Sequence, residues 1–178
     1  MTHASGGGTD VDLRPFMTEF PTGVAIVTAL AAHGRPWGMT CTSLCSVTLS
    51  PPTLIVCLRE GSPTLAAVLS AGTFAVNLLH RDARSTAELF ASGVPDRFAR
   101  VDWALPTGCG GPHLPLATHM VADCELADRQ AIGDHIVVLG KVSCITRTLE
   151  IAPLLYGQRR YASWLDQPSS SSGFGDSQ

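Results

Sequence analysis

Charge is sparse in this sequence. Only 15% of its 178 residues are Asp, Glu, Lys or Arg, the formal net charge is −3, and no block of Lys or Arg occurs. Counterion-driven binding to nucleic acid and attachment to an anionic lipid surface both need clustered cations, so neither partner is expected. No apolar run approaches the roughly 20 residues that span a bilayer. Residues 1–9 lack a charged start followed by an apolar stretch, so no secretory signal is expected and the chain reads as cytoplasmic. Local fingerprints of common chemistries are missing too: there is no P-loop, no Gly-x-Ser-x-Gly elbow and no Gly-x-Gly-x-x-Gly. A dinucleotide that binds here does so without a Rossmann unit. Six cysteines are present, Cys41, Cys45, Cys57, Cys109, Cys124 and Cys144, but no Cys-x-x-Cys pair. The Cys41–Cys45 spacing has no second half, so no zinc or other metal is expected. Several cysteines lie in apolar runs, as in Ile55-Val56-Cys57-Leu58, and read as small core residues.

What the chain does have is apolar bulk. Hydrophobic residues make up 45% of it, enough for one domain with a real core and a surplus of the kind that oligomer interfaces absorb. The Gly-rich stretch 1–9 and the Ser/Gly-rich stretch 167–178 bury too little to offset their ordering entropy and are expected to be disordered tails. The folded domain is expected over 10–166.

Asp12–Phe20 reads as a short helix with Phe16 and Phe20 on one face, ended by Pro21. Gly23–Ala29 is apolar throughout, as in a strand buried on both sides. A turn at His33–Pro36 leads to a second strand, Trp37–Ser43, and Thr53–Leu58 follows as a third. Ser62 as N-cap and Pro63 at the first helical position open a helix with an apolar stripe at Leu65, Val68 and Leu69, stopped by Gly72. Thr73–Leu79 is another strand. Ser85-Thr86-Ala87-Glu88 fits a capping box and opens a helix that ends near Gly93. After a loop over Ala104–Pro115 come strands at Ala117–Asp128 and His135–Thr146. The tally is about six strands with two or three short helices and no βαβ alternation. The fold class expected is mainly β, an antiparallel split β-barrel with short helical insertions.

Three features could carry chemistry. The stretch Thr40–Thr48, between a strand and Pro51-Pro52, offers hydroxyls and backbone N–H groups in a turn, a possible anion nest; it also suits an ordinary Ser/Thr-rich loop. Arg59 and Ser62–Thr64 surround a helix start whose free N–H groups suit phosphate; a plain cap with a solvated Arg fits as well. Gly133-Asp134-His135 puts a histidine at a strand mouth with Asp134 able to set its tautomer; a simple turn is the bland alternative. His113 and His119 have no convincing partner set and read as loop and surface residues.

Taken in order, these pieces resemble the flavin reductase family with the FMN-binding split barrel, in particular the reductase components of two-component flavin-dependent monooxygenases. Phe20-Pro21-Thr22-Gly23-Val24 precedes the first strand. Gly38-Met39-Thr40-Cys41-Thr42-Ser43 and Ser46-Val47-Thr48-Leu49-Ser50-Pro51-Pro52 are similar to the family's flavin-binding turn, and Phe74–Leu79 to a core strand. Asp96-Arg97-Phe98 with Val101 and Trp103 resembles the loop near the flavin. Gly133-Asp134-His135 and Gly140-Lys141-Val142 resemble the last barrel strands, and Pro153–Tyr156 with Arg160-Tyr161 the closing segment. Cys41 and Thr42 depart from relatives, which often carry Ala and Asn or Ser there.

The resemblance implies an NAD(P)H-dependent oxidoreductase that reduces FAD or FMN and supplies reduced flavin to a partner monooxygenase. It also implies a homodimer with the flavin near the subunit boundary. By position, Thr40, Cys41, Thr42 and Ser43 face the isoalloxazine, and Ser46 lies near the ribityl or phosphate part. Arg59, Ser62 and Thr64 hold the phosphate, and Phe98 with Arg97 walls the pocket. His135, the catalytic candidate, and Tyr161 face the nicotinamide. Asn77 reads as structural. No Arg pair marks a 2′-phosphate pocket, which leans towards NADH over NADPH. A flavoenzyme with its own organic substrate, a non-catalytic flavin- or haem-binding module and a plain dimeric interaction domain stay open as alternatives.

Overall fold

The strands that form the two edges of the main sheet are joined by three residues. This computed structural model describes residues 11–164, and both expected tails, 1–9 and 167–178, lie outside the described residues. The elements are α1 (Arg14–Thr18), β1 (Thr22–Gly23), β2 (Ala25–Leu30), β3 (Pro36–Cys41), β4 (Cys45–Leu49), β5 (Pro52–Arg59), α2 (Pro63–Ala71), β6 (Thr73–Leu79), α3 (Arg84–Ala91), β7 (Thr118–Ile132), β8 (His135–Arg147), β9 (Leu154–Gly157) and β10 (Arg160–Ser163). Seven strands pair in the order β3-β2-β6-β7-β8-β5-β4, and β1-β9-β10 form a small second sheet. Every pairing is antiparallel.

A flat sheet of seven strands would hold its edges roughly 29 Å apart. Residues 42–44 can bridge only about 14 Å from Cys41 to Cys45. The sheet must therefore curl until its edges meet, which makes it a barrel with a seam rather than an open sheet. Ser43 latches that seam. Its hydroxyl accepts from the Cys57 N–H at 2.9 Å and donates to the Cys57 carbonyl at 3.2 Å, tying the end of β3 to β5.

The barrel interior holds Val27, Val56, Leu58, Val68, Phe74, Val76 and Val138. The Phe74 ring lies where a Cβ on residue 140 would stand, so Gly140 interrupts the most apolar strand to make room for it. Ile26, on the opposite face of β2 from Val27, joins a second cluster with Val24, Phe90, Phe98, Leu114 and Leu154. That explains a strand apolar on both faces. Asn77 ties the clusters together. Its amide donates to the carbonyls of Ile26 and Pro112 and to the Thr28 hydroxyl, and its oxygen accepts from the Leu114 N–H.

α2 and β6 form as the sequence predicts. Ser62 accepts from the Leu65 N–H at 3.2 Å, and Gly72 closes the helix at φ 70°. Elsewhere the structure differs. α1 keeps only five residues and buries none of them; Phe16 and Phe20 are exposed. α3 starts at Arg84, without a side-chain cap. The Ala83 N–H bonds the His80 carbonyl and Ala83 is buried, so packing sets this start, and Glu88 pairs with Arg84 at 2.8 Å instead of closing a capping box. Residues 45–49, expected within a turn, form strand β4 paired with β5. Together with β1, the two four-residue strands of the β9–β10 hairpin bring the described total to ten rather than six. Its turn residues Gln158 and Arg159 both have positive φ, as a tight hairpin turn requires. His113 is buried, not on the surface, because its ring bonds Asp123; His119 is a half-buried residue of β7.

Candidate active site

Concave surface gathers along the seam. The largest cavity, about 600 Å³, is lined by Thr42, Ser43, Leu44 and Cys45 from the bend between β3 and β4, by Tyr156 of β9, and by α1 with Arg159. A second cavity of about 240 Å³ shares Thr42 and Tyr156 with it and adds Thr40 and Tyr161. A third, of about 310 Å³, meets the second at Ala91 and runs to the start of α2, where Ser62, Pro63, Thr64 and Arg97 line it with Trp37 and Phe90. The three form one series. It starts at the seam, passes two tyrosines and the end of α3, and finishes at a helix N-terminus.

The tyrosines are placed by β-pairing. Tyr161 lies directly opposite Tyr156 in the β9–β10 register, and their rings meet edge to face with centroids 5.2 Å apart. The Arg84 guanidinium lies over Tyr161 at 5.4 Å. Burial, followed by the negative charge of Glu88, pushes the Tyr161 hydroxyl above its ordinary range.

The far end of the series is built around Arg97. This residue is 6% exposed. One guanidinium nitrogen donates to the Phe90 carbonyl at 3.0 Å. Its Nε is buried with no partner, and no carboxylate pairs with it among the described residues. Burial alone pulls its pKa down from the ordinary guanidinium value. A buried, uncompensated Arg is costly. Beside it, at the start of α2, Pro63 has no N–H and the Leu65 N–H is capped by Ser62, which leaves the Thr64 N–H without an intrahelical acceptor. Cation and dipole end together make a site for an anion, and a phosphate fits both.

The expected site residues divide accordingly. Thr42, Ser62, Thr64, Arg97 and Tyr161 line the series. Thr40 lines it with its hydroxyl already donated to the Ala87 carbonyl at 2.7 Å, so it anchors the bend to α3. The Ser43 hydroxyl is likewise committed to β5. Cys41 turns into the barrel core, where burial pushes its thiol up, and it leaves the bend to Thr42. Ser46 is on β4 opposite Leu54, outside the turn assigned to it. Phe98 belongs to the core and backs the cavity instead of walling it, edge-on to Phe90 at 5.1 Å and to Trp103 at 5.9 Å.

Arg59 and His135 face each other across β5 and β8 and line none of the three cavities. The Glu60 N–H bonds the Asp134 carbonyl at 2.9 Å, so this turn is tied to the loop that opens α2. His135 is half exposed, and its Nδ1 meets Asp134 Oδ1 at 2.8 Å. That hydrogen bond holds the Asp134 carboxyl below its ordinary range. Tyr156 and Arg159 were not identifiable from sequence. Nothing local to Leu154-Leu155-Tyr156 says that it pairs with Tyr161 and reaches the β3–β4 bend.

A seam beside two tyrosines, with a buried cation at its far end, is the concave surface this barrel offers a ligand. The chain belongs to the flavin reductase-like domain family, which matches residues 17–165. It is 49% identical to a flavin reductase (NADPH) of Lentzea aerocolonigenes, over 88% of this chain and 91% of that protein. It is 40% identical to a flavin reductase (NADH) of Kitasatospora aureofaciens, over 83% of this chain and 78% of that one. Among solved structures, the NADH:FAD oxidoreductase SgcE6 of Streptomyces globisporus, in complex with NAD and FAD fragments, superposes with a TM-score of 0.80 at 31% identity. That match covers 86% of this chain and 92% of SgcE6.

Proposed function

We propose that this chain reduces FMN or FAD with a reduced nicotinamide nucleotide at the barrel seam and supplies the product to a separate monooxygenase component. The observation that carries this reading is buried Arg97, its Nε without a partner, beside the start of α2 where the Thr64 N–H has no intrahelical acceptor, on a cavity series that begins at the seam. These residues fit a flavin phosphate, and the two tyrosines and the β3–β4 bend fit its ring. Relatives named as the reductase subunit of a flavin-dependent monooxygenase, from Rhodococcus jostii, and as the reductase component of a two-component tryptophan halogenase support the partner class.

When bound, the flavin supplies the hydride-accepting chemistry. The protein's part is position. Arg97 and the Thr64 N–H would hold the phosphate. Thr42 and the backbone of residues 42–44 border the ring, held still because Ser43 and Thr40 are tied to β5 and α3. Tyr156 and Tyr161 close one side and exclude water. His135, oriented by Asp134 and linked through Glu60 to the loop before α2, serves the nicotinamide nucleotide. No side chain has to form a covalent bond, in keeping with the absence of a catalytic dyad along the series. The relatives named above use different nucleotides, so the lean towards NADH rests only on the missing Arg pair.

The molecule works as a homodimer in this reading. Val47, Leu49 and Ile145 lie exposed on β4 and β8, and a second copy would cover apolar surface of this kind. Light scattering of the purified chain tests it. The activity is tested by mixing the protein with FMN or FAD and NADH or NADPH, in all four pairs, and following nicotinamide absorbance. Flavin-dependent oxidation is expected in at least one pair; none in any pair overturns the reading.

A further inference from the structure

On the β6–β7 side of the molecule, away from the cavity series, one cysteine, one histidine and one aspartate converge. Each offers a ligand atom within 4.8 Å of the other two. Cys109 and His113 come from the loop before β7, and Asp123 from β7 itself. His113 and Asp123 are buried and Cys109 is half-buried. His113 Nε2 and Asp123 Oδ1 lie 2.9 Å apart.

We infer that Cys109, His113 and Asp123 form a binding site for a divalent transition-metal ion of the zinc type, with three protein ligands and one position left for water. A thiolate, an imidazole and a carboxylate are the ligand set that zinc favours, and three protein ligands plus water is a normal open arrangement. Thiolate and carboxylate together neutralise the ion.

The site is rigid before any ion arrives. A Cβ on Gly110 would collide with the Phe74 carbonyl, and one on Gly111 with the Thr28 carbonyl. Only glycine lets this loop seat against the sheet and carry its neighbours Cys109 and His113 towards Asp123. The carboxylate is oriented from outside, since the Gly110 N–H donates to its Oδ1 at 2.8 Å. Such second-layer bonds accompany metal ligands. Tetrahedral ligation asks for roughly 3.3 Å between the nitrogen and oxygen ligands and roughly 3.6 Å from each to the sulfur, so the His113–Asp123 pair opens by a few tenths of an ångström and the Cys109 thiol, on the loop, closes in by up to about 1 Å. Partly exposed Cys109 gives the ion its way in.

Binding breaks the Cys109 S–H bond and the His113–Asp123 hydrogen bond. The thiol proton leaves to solvent, and the imidazole proton that Nε2 gave to the Asp123 bond moves to Nδ1, which frees Nε2 to ligate. The ion would also brace the loop at its other end. Ala104 and His113 exchange both backbone hydrogen bonds, and Trp103 packs on Phe98 behind Arg97.

The test uses the full chain, stripped with chelator and then dialysed against equimolar zinc chloride. About one zinc per chain is expected in the parent and in C45S, which removes an exposed cysteine on β4, opposite Ile55 of β5. Affinity should fall at least about tenfold in C109S. Flavin affinity of C109S serves as the check that it folds. Cobalt in place of zinc should give a thiolate-to-metal band in the near ultraviolet that C109S lacks. No stoichiometric zinc in the parent, an unchanged zinc affinity or cobalt spectrum in C109S, or a loss caused by C45S instead, overturns the proposal.

Discussion

Arg97→Met removes a guanidinium that is 6% exposed, donates one hydrogen bond to the Phe90 carbonyl and leaves Nε without a partner. Two effects on folding oppose each other. Losing the Phe90 bond costs about 1–3 kcal/mol if that carbonyl finds no water. Removing a buried charge with no counter-ion returns an amount of the same order, on the order of several kcal/mol before relaxation, and the methionine refills the volume. The flavin-free protein should therefore melt within about 4 °C of the parent, which is about 1 kcal/mol for a chain of this size. Binding has no such compensation. A hydrogen bond to a charged group contributes about 1.5–3 kcal/mol, so flavin dissociation constants should rise on the order of ten- to a hundredfold. Arg97→Lys keeps the charge and loses the fork, and should fall between the two. Thermal melts of flavin-free protein and fluorescence titration with FMN and FAD give both numbers. A melting point lowered by about 10 °C or more with unchanged flavin affinity would refute the reasoning, because Arg97 would then be a structural residue.

Gly38→Ala places a methyl 3.0 Å from Phe90 Cε1 and Thr28 Cγ2 and 3.2 Å from Phe98 Cζ. Overpacking of this kind costs about 1–3 kcal/mol, read by urea denaturation, and should also weaken flavin binding because Phe90 and Phe98 back the phosphate end. Ser43→Ala leaves the Cys57 N–H and carbonyl without the hydroxyl that latches the seam. About 1–3 kcal/mol of stability should go, and hydrogen exchange at Cys57 should accelerate; unchanged exchange there would show that the latch is idle. Burial first, then His80 and Arg147, hold His119 below its ordinary 6.5. The unfolded chain then binds more protons just below that value, so stability is full above about pH 6.5 and declines as pH falls through it. The loss of stability between about pH 7.5 and pH 5.5 should be smaller in His119→Gln than in the parent; equal losses would remove His119 from the account.

Local chemistry alone determined a good part of this protein. Ser62, Pro63 and Gly72 carry their own start and stop signals, so α2 was legible to the residue, and so was β6 between Thr73 and Leu79. The family resemblance also lay in the order of short motifs, and several of its site residues, Thr42, Ser62, Thr64, Arg97 and Tyr161, do meet along one surface. Tertiary structure decided the rest, because partners far apart in sequence set it. β4 was hidden since its polar residues look like a turn until β5 pairs with them. In the sequence Arg59 reads as the phosphate ligand and Arg97 as part of the pocket wall, and only packing buries Arg97 at the start of α2 and leaves Arg59 exposed opposite His135. His113 reads as a loop residue until Asp123 arrives from a strand. Hydrophobic period and capping act over a few residues, whereas burial, register and charge pairing depend on what the closed barrel brings alongside.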